Sequence, residues 1–165
     1  MIVRLKTNHG NIDVELDLSA APATCENFLS YVKEGHYDNT QFHRVIPGFM
    51  IQGGGLDPDM IELKTRAAIK SEADNGLANN AGTIAMARTS DPHSATGQFF
   101  INVNDNSFLN HTSKTHSGWG YTVFGKVTAG MDAVMEISMV TTGNRGGHAD
   151  VPMEAVLISK AHVID

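Results

Sequence analysis

Residues 42–55 read FHRVIPGFMIQGGG and bring together the side chains best suited to chemistry. Within this segment Arg44 supplies a permanent cation, Phe49 and Met50 supply apolar surface, and Gln52 supplies a neutral amide. No serine, cysteine or pair of acidic residues accompanies them as a nucleophile. Such a set can bind and polarise a substrate but is poorly equipped to cleave a bond. A lone strand arginine is more often a solvated surface residue, so the residues around Arg44 determine whether it belongs to a functional site.

The alternation of side chains along two predicted strands indicates a binding face. It assigns one face to Met50, Gln52, Gln98 and Phe100, and the other to Phe49, Ile51, Phe99 and Ile101. If one face fills the core, the other presents large apolar groups beside amides to the outside. That combination favours a binding site over a second core.

The elements that must position these residues are mostly short strands. Eight β-prone runs separated by turn-forming residues are predicted: Ile2–Thr7, Ile12–Asp17, Phe42–Ile46, Phe49–Gly53, Thr83–Arg88, Gln98–Val103, Thr122–Val127 and Ala155–Val163. One helix is predicted to begin at Pro22 and end at Gly35, and a shorter one to cover Met131 to about Ser138. Eight strands and two short helices fit a mainly β fold, a closed eight-stranded antiparallel barrel capped by the two helices.

Composition restricts the class of protein. The 165 residues are expected to form one domain spanning 1–165, and 41% hydrophobic with 18% charged residues is typical of a globular chain. A net charge of −6 without a basic run argues against nucleic-acid or membrane-surface partners. The lone Cys25 cannot form an internal disulfide, and neither a signal peptide nor a long apolar span is visible. A cytoplasmic monomer is therefore expected.

Other motifs suggest cofactors but fit them poorly. Gly120–Lys126 has the glycine and lysine spacing of a phosphate-binding loop, yet Val127 stands where magnesium binding needs Ser or Thr. The triple glycine from Gly53 favours a bulge or a close backbone approach. Among eight histidines, His111 and His116 have ligand-compatible spacing in a loop, but no His-Glu-x-x-His motif is present. Neither a cofactor nor a metal is predicted.

Three segments carry a resemblance to a known family: Phe42–Gly54, then Thr83–Arg88 together with Gly97–Asn102, then Val123–Val127. In these segments and over nearly its full length, the chain resembles the cyclophilins. The resemblance implies an eight-stranded antiparallel barrel with a helix at each end. It also implies a cofactor-independent peptidyl-prolyl cis–trans isomerase that accelerates rotation about Xaa-Pro bonds and assists protein folding. Its partners would be proline-containing peptides and unfolded or partly folded proteins.

The resemblance also assigns expected roles to individual residues. Arg44 would be the catalytic residue, with Gln52 beside it. The expected substrate-binding residues are Phe49, Met50, Phe100 and Leu109 around the proline ring, Ala87 and Arg88 through their backbones, and Gln98, Phe108 and Tyr121 along the groove.

Some positions depart from the familiar eukaryotic pattern. Phe108 stands where many members have tryptophan, and Tyr121 where many have histidine. Arg88 replaces a frequent asparagine, and the loop over residues 110–119 is longer than usual. These features resemble the bacterial cytoplasmic branch of the family, and they imply that cyclosporin binds weakly at most.

Two other classes of function remain open from the sequence. A non-catalytic module for binding proline peptides would keep the barrel and the pocket without turnover. A metal- or nucleotide-dependent enzyme would use the histidines or the glycine-rich segment instead. Exchange measured on a proline peptide, with and without chelator, discriminates among the three.

Overall fold

Strands make up most of the ordered secondary structure in the computed structural model, which describes residues 1–165. The strands are β1 (Ile2–Thr7), β2 (Gly10–Leu16), β3 (Thr40–Gln41), β4 (Arg44–Ile46), β5 (Met50–Gly53), β6 (Thr83–Met86), β7 (Phe99–Asn102), β8 (Val123–Ala129), β9 (Thr142–Arg145), β10 (His148–Pro152) and β11 (Leu157–Val163). The helices are α1 (Pro22–Lys33) and α2 (Met131–Ser138), close to their predicted bounds. Neither helix has the length and apolar character needed to cross a bilayer.

Nine of the strands form one curled antiparallel sheet, in the order β3-β11-β1-β2-β8-β6-β7-β5-β4. The two ends of this order, β3 and β4, are separated in the chain only by Phe42 and His43. The sheet therefore curls until its first and last strands are chain neighbours, which confirms the predicted mainly β, barrel-like architecture, although β3 and β4 do not pair to close it. The predicted count of eight strands was one too low, because Thr40–Gln41 pairs with β11 as a separate short strand.

A second, two-stranded sheet of β9 and β10 was missed by the prediction. Its strands contain few β-branched or aromatic residues, so propensity gave little signal. Arg145 pairs with His148, which leaves Gly146 and Gly147 as a two-residue turn with φ of 59° and 81°. Two positive φ values suit a tight hairpin turn, and the Gly-Gly pair was the available signal.

The two faces of the sheet bury different clusters, as the alternation predicted. The inner face joins the main core of 28 buried residues, which includes Ile51, Phe99 and Ile101. On the outer face, Met50 and Phe100 belong to a separate cluster with Ala85, Leu109 and Val123. We call these five residues the outer cluster.

Phe49 departs from the predicted alternation. It precedes β5 in a turn, where strand periodicity does not apply, and it packs against the outer cluster instead of the main core. The inner-face assignment of Phe49 was therefore wrong, whereas its expected place beside the outer-face residues agrees with the structure.

Candidate active site

Neighbouring strands bring the predicted site residues together on the outer face. Arg44 on β4 lies opposite Gln52 on β5, and Gln52 lies opposite Phe100 on β7. A cavity of about 150 Å³ opens beside them. It is lined by Arg44, Phe49, Met50, Gln52, Ala87, Arg88, Phe100, Leu109 and Tyr121. Every lining residue is one that sequence reasoning had singled out.

Two predicted residues adjoin this cavity without lining it. Gln98 lies behind Gln52 and accepts a hydrogen bond from its side chain. Phe108 is 73% exposed, and its ring centroid lies 5.6 Å from that of Phe49. Phe108 therefore extends the apolar rim, while Gln98 supports the polar side.

The polar side of the cavity is formed by three hydrogen-bonded side chains, Arg44, Gln52 and Gln98, which we call the relay. Arg44 is exposed and takes part in none of the ion pairs of the molecule. Its Nη1 lies 3.5 Å from Oε1 of Gln52, a long hydrogen bond. The amide nitrogen of Gln52 donates to Oε1 of Gln98 at 2.9 Å. Because Gln98 fixes which end of the Gln52 amide faces Arg44, the guanidinium meets an oxygen and keeps most of its donors free.

A glycine makes room for this relay. A Cβ atom added at Gly55 would lie 2.4 Å from Nε2 of Gln98 and 2.5 Å from its Cδ. Only glycine therefore allows the Gln98 side chain to occupy its position. Gly55, the last glycine of the 53–55 run, therefore helps to position the relay by leaving space for the Gln98 side chain.

The apolar side is a preformed pocket. Met50, Phe100 and Leu109 are 1%, 4% and 9% exposed. Tyr121 packs edge-on against Phe100 with centroids 5.7 Å apart. The volume is well below the roughly 300–1,000 Å³ of pockets that enclose a drug-sized ligand. The pocket therefore suits a single apolar side chain or ring of a longer molecule.

A ladder of buried asparagines, which sequence reasoning missed, lies behind the pocket. Asn79, Asn102 and Asn106 are all buried. Nδ2 of Asn102 donates to Oδ1 of Asn79 at 3.1 Å, and Nδ2 of Asn106 donates to Oδ1 of Asn102 at 2.8 Å. Asn79 and Asn106 lie in loops, where asparagine normally indicates a turn, and Asn102 ends a strand, so nothing in the sequence distinguished these three from surface residues.

The asparagine ladder holds the backbone of three cavity-lining residues. Nδ2 of Asn79 donates to the carbonyl oxygens of Leu109 and Tyr121 at 3.2 and 3.4 Å. Nδ2 of Asn106 donates to the carbonyl oxygen of Phe49 at 2.8 Å. The carbonyl oxygens of Phe49 and Leu109 also accept backbone N–H groups, from Val103 and Tyr121, so the side-chain amides add a second hydrogen bond to each.

A buried histidine lies next to Arg44 in the chain. His43 is 5% exposed, its Nδ1 has no hydrogen-bond partner, and its ring centroid lies 5.8 Å from that of His148 on β10. Burial, with smaller contributions from His148 and Arg44, lowers the pKa of His43 to about 4. The ring is therefore neutral at pH 7 and adds no second charge beside Arg44.

A larger groove lies elsewhere, but its chemistry is less specific. About 580 Å³ of space runs along β2 and β8, between Glu15–Ser19 and Lys126. Its walls mix exposed charged residues with scattered apolar ones, without an arginine, an amide pair or an aromatic ring. The smaller cavity at Arg44 is therefore the candidate active site.

Comparison with known proteins agrees with this geometry. Residues 2–163 match the family model described as cyclophilin type peptidyl-prolyl cis-trans isomerase/CLD. The chain belongs to this family. The match covers both strands of the relay and every residue that lines the cavity.

Individual cyclophilins resemble the chain over its full length. A peptidyl-prolyl cis-trans isomerase of Streptomyces antibioticus is 60% identical over 98% of both chains. Peptidyl-prolyl cis-trans isomerase B of Escherichia coli is 55% identical over 98% of this chain and 99% of its own. A cyclophilin-type isomerase of Cryptosporidium parvum, solved in the presence of the dipeptide Ala-Pro, superposes with a TM-score of 0.81 at 27% identity, covering 100% of this chain and 99% of that one.

Proposed function

We propose that the cavity beside Arg44 is the site at which this cyclophilin-type isomerase accelerates cis–trans exchange of Xaa-Pro peptide bonds, with Arg44 as the catalytic residue. One observation carries the proposal: a guanidinium group without an acidic partner faces a small, preformed apolar pocket. The isomerase is cofactor-independent, and it assists the folding of proteins that contain proline.

The chemistry of the reaction explains why this pair of features is sufficient. Resonance gives the peptide C–N bond a rotation barrier of roughly 18–20 kcal/mol, and unaided exchange before proline takes tens to hundreds of seconds. Rotation breaks the conjugation and leaves a more basic, pyramidal proline nitrogen. A donor aimed at that nitrogen stabilises the twisted state more than either planar state, which is the condition for catalysis.

Arginine suits this task better than lysine. Its guanidinium stays charged, and its donors are held in a rigid planar fork. Gln52 and Gln98 orient that fork without neutralising it, because an amide oxygen carries no net charge. The apolar pocket excludes water beside the bond, which strengthens the field of the guanidinium.

The remaining predicted residues hold the substrate. We assign the proline ring to the pocket of Phe49, Met50, Phe100 and Leu109, which would anchor it while the preceding acyl group turns. Backbone groups of Ala87 and Arg88, and the rim formed by Phe108, Gln98 and Tyr121, would contact the chain on either side. All of these residues line or adjoin the cavity, which supports the assignment.

The wider biological setting is part of the proposal. The family binds proline-containing peptides, and a small open cavity that accepts one ring suits unfolded or partly folded proteins of many sequences. We propose a cytoplasmic monomer that acts on such chains, without nucleic-acid or membrane partners, on the strength of its charge balance. The exposed Phe108, in place of a tryptophan, supports weak binding of cyclosporin.

Two-dimensional exchange NMR on a short Ala-Pro peptide tests the assignment. The wild-type chain is expected to enhance cis–trans exchange, and Arg44→Ala to lose about 100-fold or more of that enhancement, the usual cost of deleting a transition-state donor. Arg44→Lys keeps the charge but loses the fork, and we expect it to lose most activity as well.

A matched control separates the site from general effects of losing an arginine. Arg145 is an exposed strand arginine whose Nη2 donates to the carbonyl oxygen of Pro58, outside the cavity. Arg145→Ala should retain wild-type exchange. Near-native turnover by a folded Arg44→Ala would remove Arg44 from the mechanism, and peptide binding without enhanced exchange would indicate a non-catalytic binding module.

A further inference from the structure

Arg88 lines the cavity, and its side chain is held by hydrogen bonds. Its Nε and Nη2 donate to the carbonyl oxygen of Gly120 at 3.1 and 2.9 Å, and its Nη1 donates to the carbonyl oxygen of Thr89 at 2.8 Å. The guanidinium carbon lies 4.4 Å from the centroid of the Tyr121 ring. The resemblance to the cyclophilins implies only backbone contacts for Arg88. The structure adds a guanidinium fixed in position by three hydrogen bonds and an aromatic face.

This anchoring does not use up the donors of Arg88. A guanidinium has five N–H groups, and the three hydrogen bonds leave one on Nη1 and one on Nη2. A carboxylate can accept from both nitrogens at once, in the paired geometry that makes arginine its preferred partner. Because the side chain is already ordered, binding an anion there costs little further rotamer entropy.

The charge around the cavity is locally reversed relative to the rest of the molecule. The chain carries a net charge of −6, yet the lining residues include two arginines and no acidic residue. The ion pairs of the molecule involve Arg4, His9, Arg66 and Lys114, so neither Arg44 nor Arg88 is neutralised by a carboxylate. An uncompensated positive rim on an acidic protein favours an anionic ligand.

We infer that Arg88 is a specificity-determining residue that selects Xaa-Pro substrates carrying an aspartate or glutamate next to the proline. The inference rests on the proposed site, because it takes the proline ring to lie in the apolar pocket between Arg44 and Arg88. The carboxylate of the neighbouring substrate residue accepts from the two free donors of Arg88, while Arg44 remains available to the rotating bond.

A purely structural role for Arg88 predicts something different. If its hydrogen bonds to Gly120 served only to hold the loop before Tyr121, losing them would slow the turnover of every peptide by the same factor. A specificity role changes the ratio between an acidic peptide and its neutral isostere. The ratio is therefore the informative quantity.

The test uses two pairs of short peptides that differ only by Asp or Asn, once directly before the proline and once directly after it. Catalysed exchange and peptide Kd are both measured by NMR, at low and at high salt. For at least one pair we expect the wild-type chain to favour Asp by about three- to tenfold in both quantities, and high salt to reduce the preference. Arg88→Gln should bring the ratio close to one.

Two further variants keep the outcome clear. Arg88→Lys retains the charge without the fork and should keep part of the preference, so it substitutes for Arg88→Gln if that variant folds poorly. Arg145→Gln removes the same charge from a residue that does not line the cavity and should leave the ratio at its wild-type value.

Three results would overturn the inference: a wild-type ratio near one for both pairs, a ratio unchanged in Arg88→Gln, or an equal loss of the preference in Arg145→Gln. Failure of the proposed function looks different. In that case no peptide shows enhanced exchange, while the Kd values still report whether Arg88 selects the acidic peptide.

Discussion

At the scale of single residues, the orientation of the Arg44 guanidinium depends on the side chains of Gln52 and Gln98 behind it. Gln52 presents its oxygen to Arg44 only because its nitrogen is committed to Gln98. Gln98 keeps its position only because Gly55 lacks a Cβ. A catalytic group that accelerates a reaction through its orientation is sensitive to small displacements. Residues of the relay that lie behind Arg44 should therefore affect turnover.

Gly55→Ala tests this dependence. The added methyl group overlaps the Gln98 side chain, which is flexible enough to move, so the fold should survive while the hydrogen bond from Gln52 is lost. Loss of one such bond corresponds to about 1 kcal/mol, or roughly a fivefold drop in kcat/KM. A double-mutant cycle provides the control: Gly55→Ala should add nothing to Gln98→Ala, and fully additive effects would contradict the relay.

At the scale of elements, loops contribute about half of the residues that line the pocket. Hydrogen bonds from the asparagine ladder hold these loops in place. Asn106 illustrates the arrangement, because its amide bridges the carbonyl of Phe49 and the side chain of Asn102. Every contact made by this amide is internal to the protein. Its function is therefore to position the pocket, and it has no direct part in the reaction.

Asn106→Ala should consequently raise KM more than it lowers kcat. The change removes one of the two hydrogen bonds to the Phe49 carbonyl and so loosens this loop, but it leaves Arg44 and Gln52 in place. Burying unpaired groups should cost about 1–3 kcal/mol of unfolding free energy. Asn27→Ala is the matched control, since Asn27 is a buried asparagine on α1 whose amide donates to the carbonyl oxygen of Thr96. It should lose comparable stability with an unchanged KM. Equal KM values for the two variants would show that the ladder acts only through stability.

Local pattern predicted the strands of the site but not the ladder, and the physical reason is sequence separation. Met50, Gln52 and Phe100 could be assigned to one face because alternation is a property of a few consecutive residues. The partners of Asn102 lie up to 23 positions away, and the pairing exists only after the sheet has curled. The same limit applies to Arg88, whose side-chain partner Gly120 is 32 positions away.

At the scale of the whole molecule, the point where the two ends of the curled sheet meet also holds a buried titratable group. His43 lies between β3 and β4, and the β9–β10 hairpin covers it through His148. Closure of the curled sheet therefore places a neutral imidazole where the unfolded chain would expose it to water. The stability of the whole fold is thereby linked to pH.

The sign of this linkage follows from the pKa of His43, which folding lowers from 6.5 to about 4. The stabilising contribution is complete above pH 6.5 and is lost as the pH falls toward 4, because the unfolded chain binds the proton more tightly. Between pH 7 and pH 5 the free energy of unfolding should fall by about 2 kcal/mol from this residue. Burial also lowers the pKa of His36, so a smaller loss of the same sign persists without His43.

Urea unfolding of the wild-type chain and of His43→Gln at pH 7 and pH 5 measures this contribution. The variant should show a loss of stability about 2 kcal/mol smaller than that of the wild type over this interval. His116→Gln, which removes an exposed loop histidine, should behave as the wild type does. The carboxylate of Asp13, whose pKa Arg4 lowers, titrates below this interval in both states and therefore does not mask the effect. Identical pH dependence in all three proteins would contradict the lowered pKa of His43 and would mean that folding does not keep its ring from the proton.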